Sequence, residues 1–346
     1  SIALQDGLLA VTRDGEGVVF THDSINEAAY SLLEPEQQGP YHLKLGQILL
    51  KTLCPNLLPK YIFTIAAQLA RGNELITDED DRIAAASTFL SAGEKSMAAS
   101  AFPEAHFFFA KGIDLLREDD WKENYRLCCD IYTKAADTVA RTADFQGLDK
   151  VLANLFHHCK GSIFDYLNAS YIQVRSMVSR GTGPAALETG LEALRLAGEN
   201  FPSRNLAMHT ILGFAQTRRS MKNKGADQLL QLPSITDKQM IATLRLLELL
   251  VTISLSWNQK LLPLLCFRVV KLNLTHGMSK SMPAAVALYG IIISRFGYTL
   301  TETTKYGRIG LTLLRELKCN ETMAHVILLT YGSTFTRMYK LSDCIK

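Results

Sequence analysis

Two acidic runs hold the side chains best suited to chemistry in this sequence. Residues 78–81 read Asp-Glu-Asp-Asp and residues 118–120 read Glu-Asp-Asp. Carboxylates grouped in this way could hold a divalent metal against a diphosphate. Each run also comes directly before a predicted helix, where negative charge stabilises the helix start, and charge runs are usually solvated. We favour this structural interpretation and keep, as the alternative function, a free-standing all-α enzyme that uses residues 78–81 with a divalent metal.

Histidine and cysteine side chains offer two further possibilities. His157, His158 and Cys159 are metal-ligating types, but consecutive helical residues point about 100° apart and cannot close on one ion. His22 beside Asp23 could suggest acid–base chemistry, yet its place near a helix start favours a structural pair that orients a hairpin against that helix. No serine, cysteine or lysine has a recognisable nucleophile setting, although the members of a triad can lie far apart in a sequence. We therefore predict no catalytic residue and no metal site.

Phosphate and nucleic-acid recognition have little support in the sequence. A phosphate-cradling loop needs G-x-x-x-x-G-K-[ST], and no such run occurs. The compact basic cluster, Arg218, Arg219, Lys222 and Lys224, falls at a predicted helix end, where cations are favourable, and no aromatic residues alternate with it. The formal net charge of +3 provides no broad basic surface. We expect no cofactor in this segment and no nucleic-acid partner.

Composition indicates an ordered chain of the reducing cytoplasm. Of 346 residues, 47% are hydrophobic and 21% charged, as in globular proteins. The seven cysteines are odd in number and show no C-x-x-C spacing, and Cys128 and Cys129 are adjacent, which favours free thiols. We predict no membrane span, because residues 241–257 include Arg245 and Glu248 and the run 283–293 is too short. We also predict no signal peptide and expect the chain to be a piece of a larger protein.

The elements that position these residues are mainly helices, organised around residues 82–117. Apolar residues at steps of three and four predict two helices here, with a break before Pro103, which suits the first turn of a helix. Small residues and an aromatic mark the predicted crossing: Gly93, Ala105, Phe109 and Gly112. This spacing resembles the tetratricopeptide pattern. One such pair cannot bury its own apolar face, so we expect neighbouring pairs to stack on it.

Helix pairs are predicted to recur from residue 82 to the end of the sequence. Predicted units start near residues 82, 121, 163, 205, 237, 282 and 321, so most are about 40 residues long against 34 in tetratricopeptide repeats. Later second helices repeat the small-residue spacing at Ala186, Gly190 and Ala193 and at Thr303, Gly307 and Gly310. The predicted fold is all-α, with residues 59–346 forming a tetratricopeptide-like α-solenoid of antiparallel helix pairs.

The N-terminal residues follow a different pattern. The sequence Asp-Gly-Glu-Gly at 14–17 separates two short apolar runs and predicts one β-hairpin. Ser24 with Glu27 predicts a capping box at the next helix. Gly39 and Pro40 predict a break before a helix over residues 41–53.

These N-terminal residues resemble a known family. Two stretches, VVFTHDSINEAAYSLL at 18–33 and YHLKLGQILL at 41–50, resemble the end of the winged-helix segment that closes the P-loop module of multidomain signalling ATPases. Further resemblance to the helical region of that family lies in residues 90–116, in Trp121 and Tyr125, in LAGENFP at 196–202 and in YGRIGLTLL at 306–314. Members usually carry an arginine a few residues before the histidine, whereas Gln37-Gln38-Gly39-Pro40 precedes His42 here.

The resemblance implies both a domain division and a function. Residues 1–58 would be the winged-helix-like end of an ATPase module, with Phe20, His22, Asp23 and Tyr30 in its core. ATP and magnesium would bind only in a domain upstream of this segment. The segment itself would be a non-catalytic scaffold and relay within a histidine kinase or serine/threonine kinase with ATPase and sensor domains. Its partners would be proteins or adjacent domains of the same chain.

Overall fold

The computed structural model describes residues 2–12, 15, 17–142, 144–319 and 323–332. Most of these residues are helical, and a single two-stranded sheet accompanies them within the described ranges. The prediction of an all-α chain with one hairpin is therefore confirmed. The chain forms two compact units, Ser1–Ala143 and Asp144–Lys346. The predicted boundary at residue 58 is a functional division and stays a prediction.

The first unit begins with the hairpin and continues as helices. Its elements are α1 (Ile2–Gln5), β1 (Leu9–Val11), β2 (Val18–Phe20), α2 (Asp23–Ser31), α3 (Pro35–Thr52), α4 (Leu58–Arg71), α5 (Glu79–Ala98), α6 (Phe102–Leu115), α7 (Asp120–Glu123) and α8 (Tyr125–Thr142). The strands are antiparallel, with Leu9 opposite Phe20 and Val11 opposite Val18.

Two predicted details of the N-terminal helices are wrong. The cap of α2 is His22, whose Nδ1 accepts a hydrogen bond from the Ser24 backbone N–H at 3.1 Å, so Ser24 already lies inside the first turn. Gly39 and Pro40 do not break the chain, because α3 begins at Pro35 and runs through both. Pro40 lies early in that helix, where it removes one backbone hydrogen bond without ending the helix.

The core of the first unit forms where α4, α5 and α6 pack in sequence. Pro103 sits in the first turn of α6, and Ser100 takes a positive φ of 59° in the short turn from α5. Such a short link makes α5 and α6 neighbours, as predicted. Phe89 and Phe109 are fully buried between these helices, and Ile131 of α8 is fully buried in the same unit.

The regular elements of the second unit are helices within the described residues, and an isolated β-bridge joins Ser234 to Met278. Its elements are α9 (Phe145–His158), α10 (Ile163–Ser179), α11 (Gly183–Leu196), α12 (Leu206–Met221), α13 (Ala226–Leu230), α14 (Lys238–Trp257), α15 (Leu262–His276), α16 (Met282–Ser294), α17 (Leu300–Glu316) and α18 (Met323–Ile327), followed by a π-helical turn, Leu328–Gly332.

Three predicted helix pairs form in the second unit: α10 with α11, α14 with α15, and α16 with α17. They follow one another in space, since α14 packs on both α10 and α11 and α16 packs on α15. The unit predicted to start near residue 205 is an exception, because its helix α12 does not pair with the short helix after it. Instead α12 packs on α15, and α13 packs on α17. Of the unit predicted to start near residue 321, residues 323–332 are helical and the rest lies outside the described residues.

Helix α14 is apolar and long enough to pass a length-and-composition test for a membrane span. A core helix of a globular unit passes the same test, so this is weak evidence for a span. Leu246, Leu247 and Leu250 of α14 are fully buried in the core of the second unit. This packing is what a core helix would show.

Candidate interaction groove

Helix α12 lies at the surface of the second unit with much of its apolar side chain area uncovered. Met208, Ile211 and Leu212 are 53%, 59% and 53% exposed. The opposite side of the helix packs on α15, where Gly213 leaves room for the Phe267 ring; a Cβ on Gly213 would lie 3.0 Å from that ring. Because α12 is apolar on more than one side, packing against one neighbour leaves apolar side chains exposed.

A groove runs along the junction of α12 and α15. Its volume is about 630 Å³. From α12 it is lined by His209, Leu212 and Gln216, and from α15 by Leu264, Arg268, Lys271 and Leu274. Residues 200–202 also line it. We call this feature the α12–α15 groove.

An ion pair fixes the loop beside the groove. Arg268 Nη1 lies 2.6 Å from Glu199 Oε2, and the Arg268 guanidinium stands over the Phe201 ring at 5.7 Å. The Glu199 backbone N–H also donates to the Leu194 carbonyl at 2.8 Å, after Gly198 takes a positive φ of 88°. This loop belongs to the LAGENFP stretch. Two contacts therefore fix the conformation of this loop. One is the turn at the C-terminal end of α11, and the other is the ion pair between Glu199 and Arg268 of α15, which lies 69 residues further along the sequence.

A second, smaller hollow lies on the other flank of α12. It has a volume of about 390 Å³ and is lined in part by Ile211, Lys260 and Phe296. Phe214 stacks on Phe296 with ring centroids 4.1 Å apart, and Arg218 stands 4.5 Å above the Tyr298 ring. Arg218 of the predicted basic cluster is therefore held by an aromatic face.

Residues 200–301 of the second unit include many more basic than acidic residues. Residues 200–301 contain three acids, Asp227, Asp237 and Glu248. The same stretch contains twelve basic residues: Arg204, Arg218, Arg219, Lys222, Lys224, Lys238, Arg245, Lys260, Arg268, Lys271, Lys280 and Arg295. Twelve minus three is a formal charge of +9, against +3 for the whole chain. Neither α12 nor α15 contains an acidic residue. Of the residues that line the groove, Arg268 and Lys271 are charged, and Arg268 is paired with Glu199. Lys271 therefore provides the exposed positive charge at the groove.

Protein groups contact the acidic residues that the sequence suggested for metal binding. Asp78 Oδ1 accepts the Asp81 backbone N–H at 3.0 Å and caps α5. Asp81 receives Gln47 Nε2 at 2.7 Å and pairs with Lys51 Nζ at 3.0 Å. These contacts agree with the predicted role of the run at a helix start.

Asp120, in the second acidic run, is buried in an ion pair with Arg82. Its hydrogen bond with the Arg82 side chain holds the pKa of Asp120 below its ordinary value. Asp119, its neighbour in the sequence, is exposed and lies 3.5 Å from Lys122 Nζ. The sequence analysis placed this run directly before a helix and missed the buried partner of Asp120.

The histidine and cysteine residues considered for metal binding or acid–base chemistry contact protein groups or are buried. The His157 and His158 rings contact each other edge-on, with centroids 4.8 Å apart. Burial raises the pKa of the Cys159 thiol to about 11, which disfavours the thiolate form that binds metals. His22 caps α2 as described above, and Asp23 is the first residue of that helix.

The predicted repeat positions lie at helix crossings. Ala105 and Phe109 are fully buried, and a Cβ on Gly93 would overlap the Phe109 ring. Gly112 has ordinary contacts, with Ile131 atoms 3.4 Å from its Cβ position. In the second unit, a Cβ on Gly190 would overlap Leu250, and one on Gly310 would lie 2.9 Å from the Pro283 carbonyl oxygen. Three further positions from the predicted spacing are buried: Ala186, Ala193 and Gly307.

The four residues predicted as a winged-helix core differ in placement. Phe20, His22 and Asp23 are exposed, which corrects the expectation that they are core residues. The reason is that β2 contacts only β1 and α2 closely among the described elements. Tyr30 is half-buried and its hydroxyl lies 3.0 Å from Gln38 Oε1 and 2.9 Å from His42 Nε2.

A polar network around buried His42 was missed by sequence reasoning. His42 Nδ1 lies 2.6 Å from Gln68 Oε1, and its Nε2 lies 3.1 Å from Arg71 Nη1. Arg71 of α4 thus contacts His42, although the sequence lacks the arginine that the resemblance leads us to expect before this histidine. The local signal was a histidine in a predicted helix, and this signal does not identify its partners.

Comparison with known proteins finds distant similarity to a signalling kinase. The chain is 24% identical over 321 residues to the hybrid signal transduction histidine kinase G of Dictyostelium discoideum. The match covers 80% of this chain but only 9% of that protein. No protein-family model matches the chain, and no solved structure matches it. The comparisons thus support a distant relation to signal-transduction kinases.

Proposed function

We propose that this chain is a non-catalytic helical-repeat scaffold and relay segment of a multidomain signal-transduction ATPase-kinase. The observation that carries the proposal is the succession of packed helix pairs in the second unit, with the α12–α15 groove open beside them within the described residues. Helix pairs that stack on their neighbours transmit displacement through packed side chains. An uncovered surface on such a stack can bind partner proteins or neighbouring domains. The similarity to a signalling histidine kinase supports the same context.

The finer architecture is part of the proposal. Residues 59–346 would form a tetratricopeptide-like solenoid, with small residues at the crossings such as Gly93 and Gly190 as its repeated feature. Residues 1–58 would be the winged-helix-like end of a preceding ATPase module. ATP and magnesium would bind in that upstream module. The segment would work in the cytoplasm, in agreement with the free thiols of the six cysteines in the described part of the chain.

The enzyme alternative has weaker support. It depends on residues 78–81, where Asp78 caps a helix and Asp81 bonds to Gln47 and Lys51. A metal would have to displace these partners. We therefore favour the scaffold over the metal-dependent enzyme.

Two titrations test the assignment as a non-catalytic segment. Isothermal titration of the 346-residue chain with magnesium and ATP, and with magnesium and inorganic diphosphate, should show no saturable heat. Micromolar diphosphate binding that is lost in the double variant Asp80→Asn, Asp81→Asn would favour the enzyme instead.

The relay role needs the complete protein. In the product of the whole reading frame, replacing this segment with a flexible Gly/Ser linker should preserve ATP binding and change the rate of autophosphorylation. An unchanged rate would contradict the relay.

A further inference from the structure

We propose that the α12–α15 groove binds an acidic amphipathic helix of a partner protein or neighbouring domain. This inference rests on the proposed scaffold function and names the chemistry of the partner. It also identifies the face of the second unit that receives it.

The dimensions of the groove suit a helix of three to four turns. The two helices that form it have 16 and 15 residues, so each is roughly 22–24 Å long at about 1.5 Å per residue. The volume of about 630 Å³ is enough for several side chains from one face of a helix. Leu212, Leu264 and Leu274 line it and provide apolar contacts for residues spaced at i, i+3, i+4 and i+7.

The charges around the groove select an acidic partner. Lys271 is exposed at the groove, and Arg268 beside it is already paired with Glu199. Both helices lack acidic residues, and residues 249–301 contain none. A basic helix would be repelled by Lys271, whereas a carboxylate on the rim of an acidic helix would lie near it.

The same features argue against nucleic acid and lipid. Bases need exposed aromatic rings on which to stack, but of the two phenylalanine rings that line the groove Phe267 is buried and Phe201 lies under the Arg268 guanidinium. A lipid surface favours a convex apolar patch, whereas exposed Leu212 and half-buried Leu264 and Leu274 line a concave groove. An amphipathic helix has both the apolar face and the acidic rim that this groove fits.

Fluorescence anisotropy with a defined probe tests the proposal on the 346-residue chain. The probe is a fluorescein-labelled peptide as long as α12, with leucines on one helical face and Glu and Ala elsewhere. Two comparison peptides keep the length: one redistributes the same leucines around the helix, and one replaces every Glu with Lys. We expect saturable binding of the first peptide, weakened by added salt, and affinities at least about tenfold lower for the other two.

Variants then locate the binding site. Lys271→Glu and Leu212→Asp should each lower the affinity for the acidic peptide at least about tenfold, since one removes rim charge and the other apolar contact. Lys150→Glu makes the same charge reversal at an exposed position of α9 outside the groove and should leave affinity unchanged. Circular dichroism of each variant should match the wild type, and a charge-conserving Lys271→Arg variant should retain binding.

Several outcomes would overturn the groove assignment. They are no saturable binding of the acidic peptide, equal binding of the redistributed peptide, or an equal loss with Lys150→Glu. Tighter binding to phosphatidylcholine–phosphatidylserine vesicles or to a single-stranded oligonucleotide, reduced by Lys271→Glu, would assign the surface to those ligands. If the acidic peptide does not bind but the linker replacement still alters autophosphorylation, the scaffold role is retained and only the groove assignment is contradicted.

Discussion

Arg82 of α5 and Asp120 of α7 form a two-point ion pair in the interior of the first unit, although they lie 38 residues apart in the sequence. Their side chains are 5% and 2% exposed. Arg82 Nη2 lies 2.9 Å from Asp120 Oδ1, and Arg82 Nη1 also donates to the Leu115 carbonyl at 2.7 Å. The Arg117 backbone N–H donates to Asp120 Oδ2 at 2.6 Å. The pair thus fastens the chain between α6 and α7 to the start of α5.

Removing the carboxylate of this pair should be strongly destabilising. Asp120→Asn leaves a buried guanidinium without its countercharge, so the free energy of unfolding should fall by about 3 kcal/mol. Urea unfolding followed by circular dichroism measures this change. Asp119→Asn is the matched control, because its exposed contact with Lys122 should contribute less than about 0.5 kcal/mol. Equal effects of the two variants would show that the buried pair has no special role.

The same pair predicts a pH dependence. The folded-state pKa of Asp120 is lowered, first by the Arg82 hydrogen bond, from an ordinary value of 3.8. Its contribution to stability is therefore complete above pH 3.8 and is lost as the pH falls through the folded-state value. The stability difference between wild type and Asp120→Asn should be constant near neutral pH and shrink below about pH 4. A difference that stays constant into that acidic range would contradict the assignment.

Overpacking the crossing of α5 and α6 should cost stability. Ala105 is fully buried, so Ala105→Leu should lower the free energy of unfolding by about 1–3 kcal/mol. His106→Leu introduces the same side chain at the exposed neighbouring position and should change it by less than about 0.5 kcal/mol. Hydrogen exchange should rise mainly in the first unit, because repeat stability is nearly a sum of neighbour terms. A uniform rise along the chain would contradict the repeat architecture.

Replacing either of two glycines in the predicted small-residue spacing with alanine should change the free energy of unfolding, but in opposite directions. A Cβ on Gly93 would overlap the buried Phe109 ring, so Gly93→Ala should destabilise by about 1–3 kcal/mol. Gly112 has space for a Cβ, with its nearest neighbours at 3.4 Å, so Gly112→Ala should stabilise by up to about 1 kcal/mol through helix propensity. Thermal and urea unfolding of both variants tests this. Destabilisation of similar size in both would mean that the glycines serve one shared steric role.

The cysteine thiols should differ in reactivity according to their burial. Cys54 is exposed, whereas burial raises the pKa of Cys128 to about 11 and also raises that of Cys266. In a Cys344→Ser background, Ellman's reagent at pH 8 should therefore label one thiol rapidly and the buried thiols only after unfolding. Cys54→Ser should abolish the rapid phase. Rapid labelling of several thiols in the native protein would contradict the packing.

Local patterns were sufficient for the helices, the hairpin and the helix pair at 82–117. Apolar residues at steps of three and four, a proline in a first turn and a glycine-rich turn each act within a few residues, so the sequence itself records them. The small positions at Gly93, Ala105 and Gly112 could be found for the same reason. The capping box and the break at Pro40 were wrong because His22 and Pro35 offered competing starts a few residues earlier.

Contacts between distant residues were decided only by the tertiary structure. Nothing near Asp120 identifies Arg82 as its partner, and nothing near His42 identifies Arg71. The sequence places apolar residues on more than one side of α12, with polar and basic residues among them. Whether such a helix is enclosed depends on how many neighbours the fold brings to it. Here α15 covers one side and leaves the groove, because packing is a property of elements that meet in space and not of the order of residues in one helix.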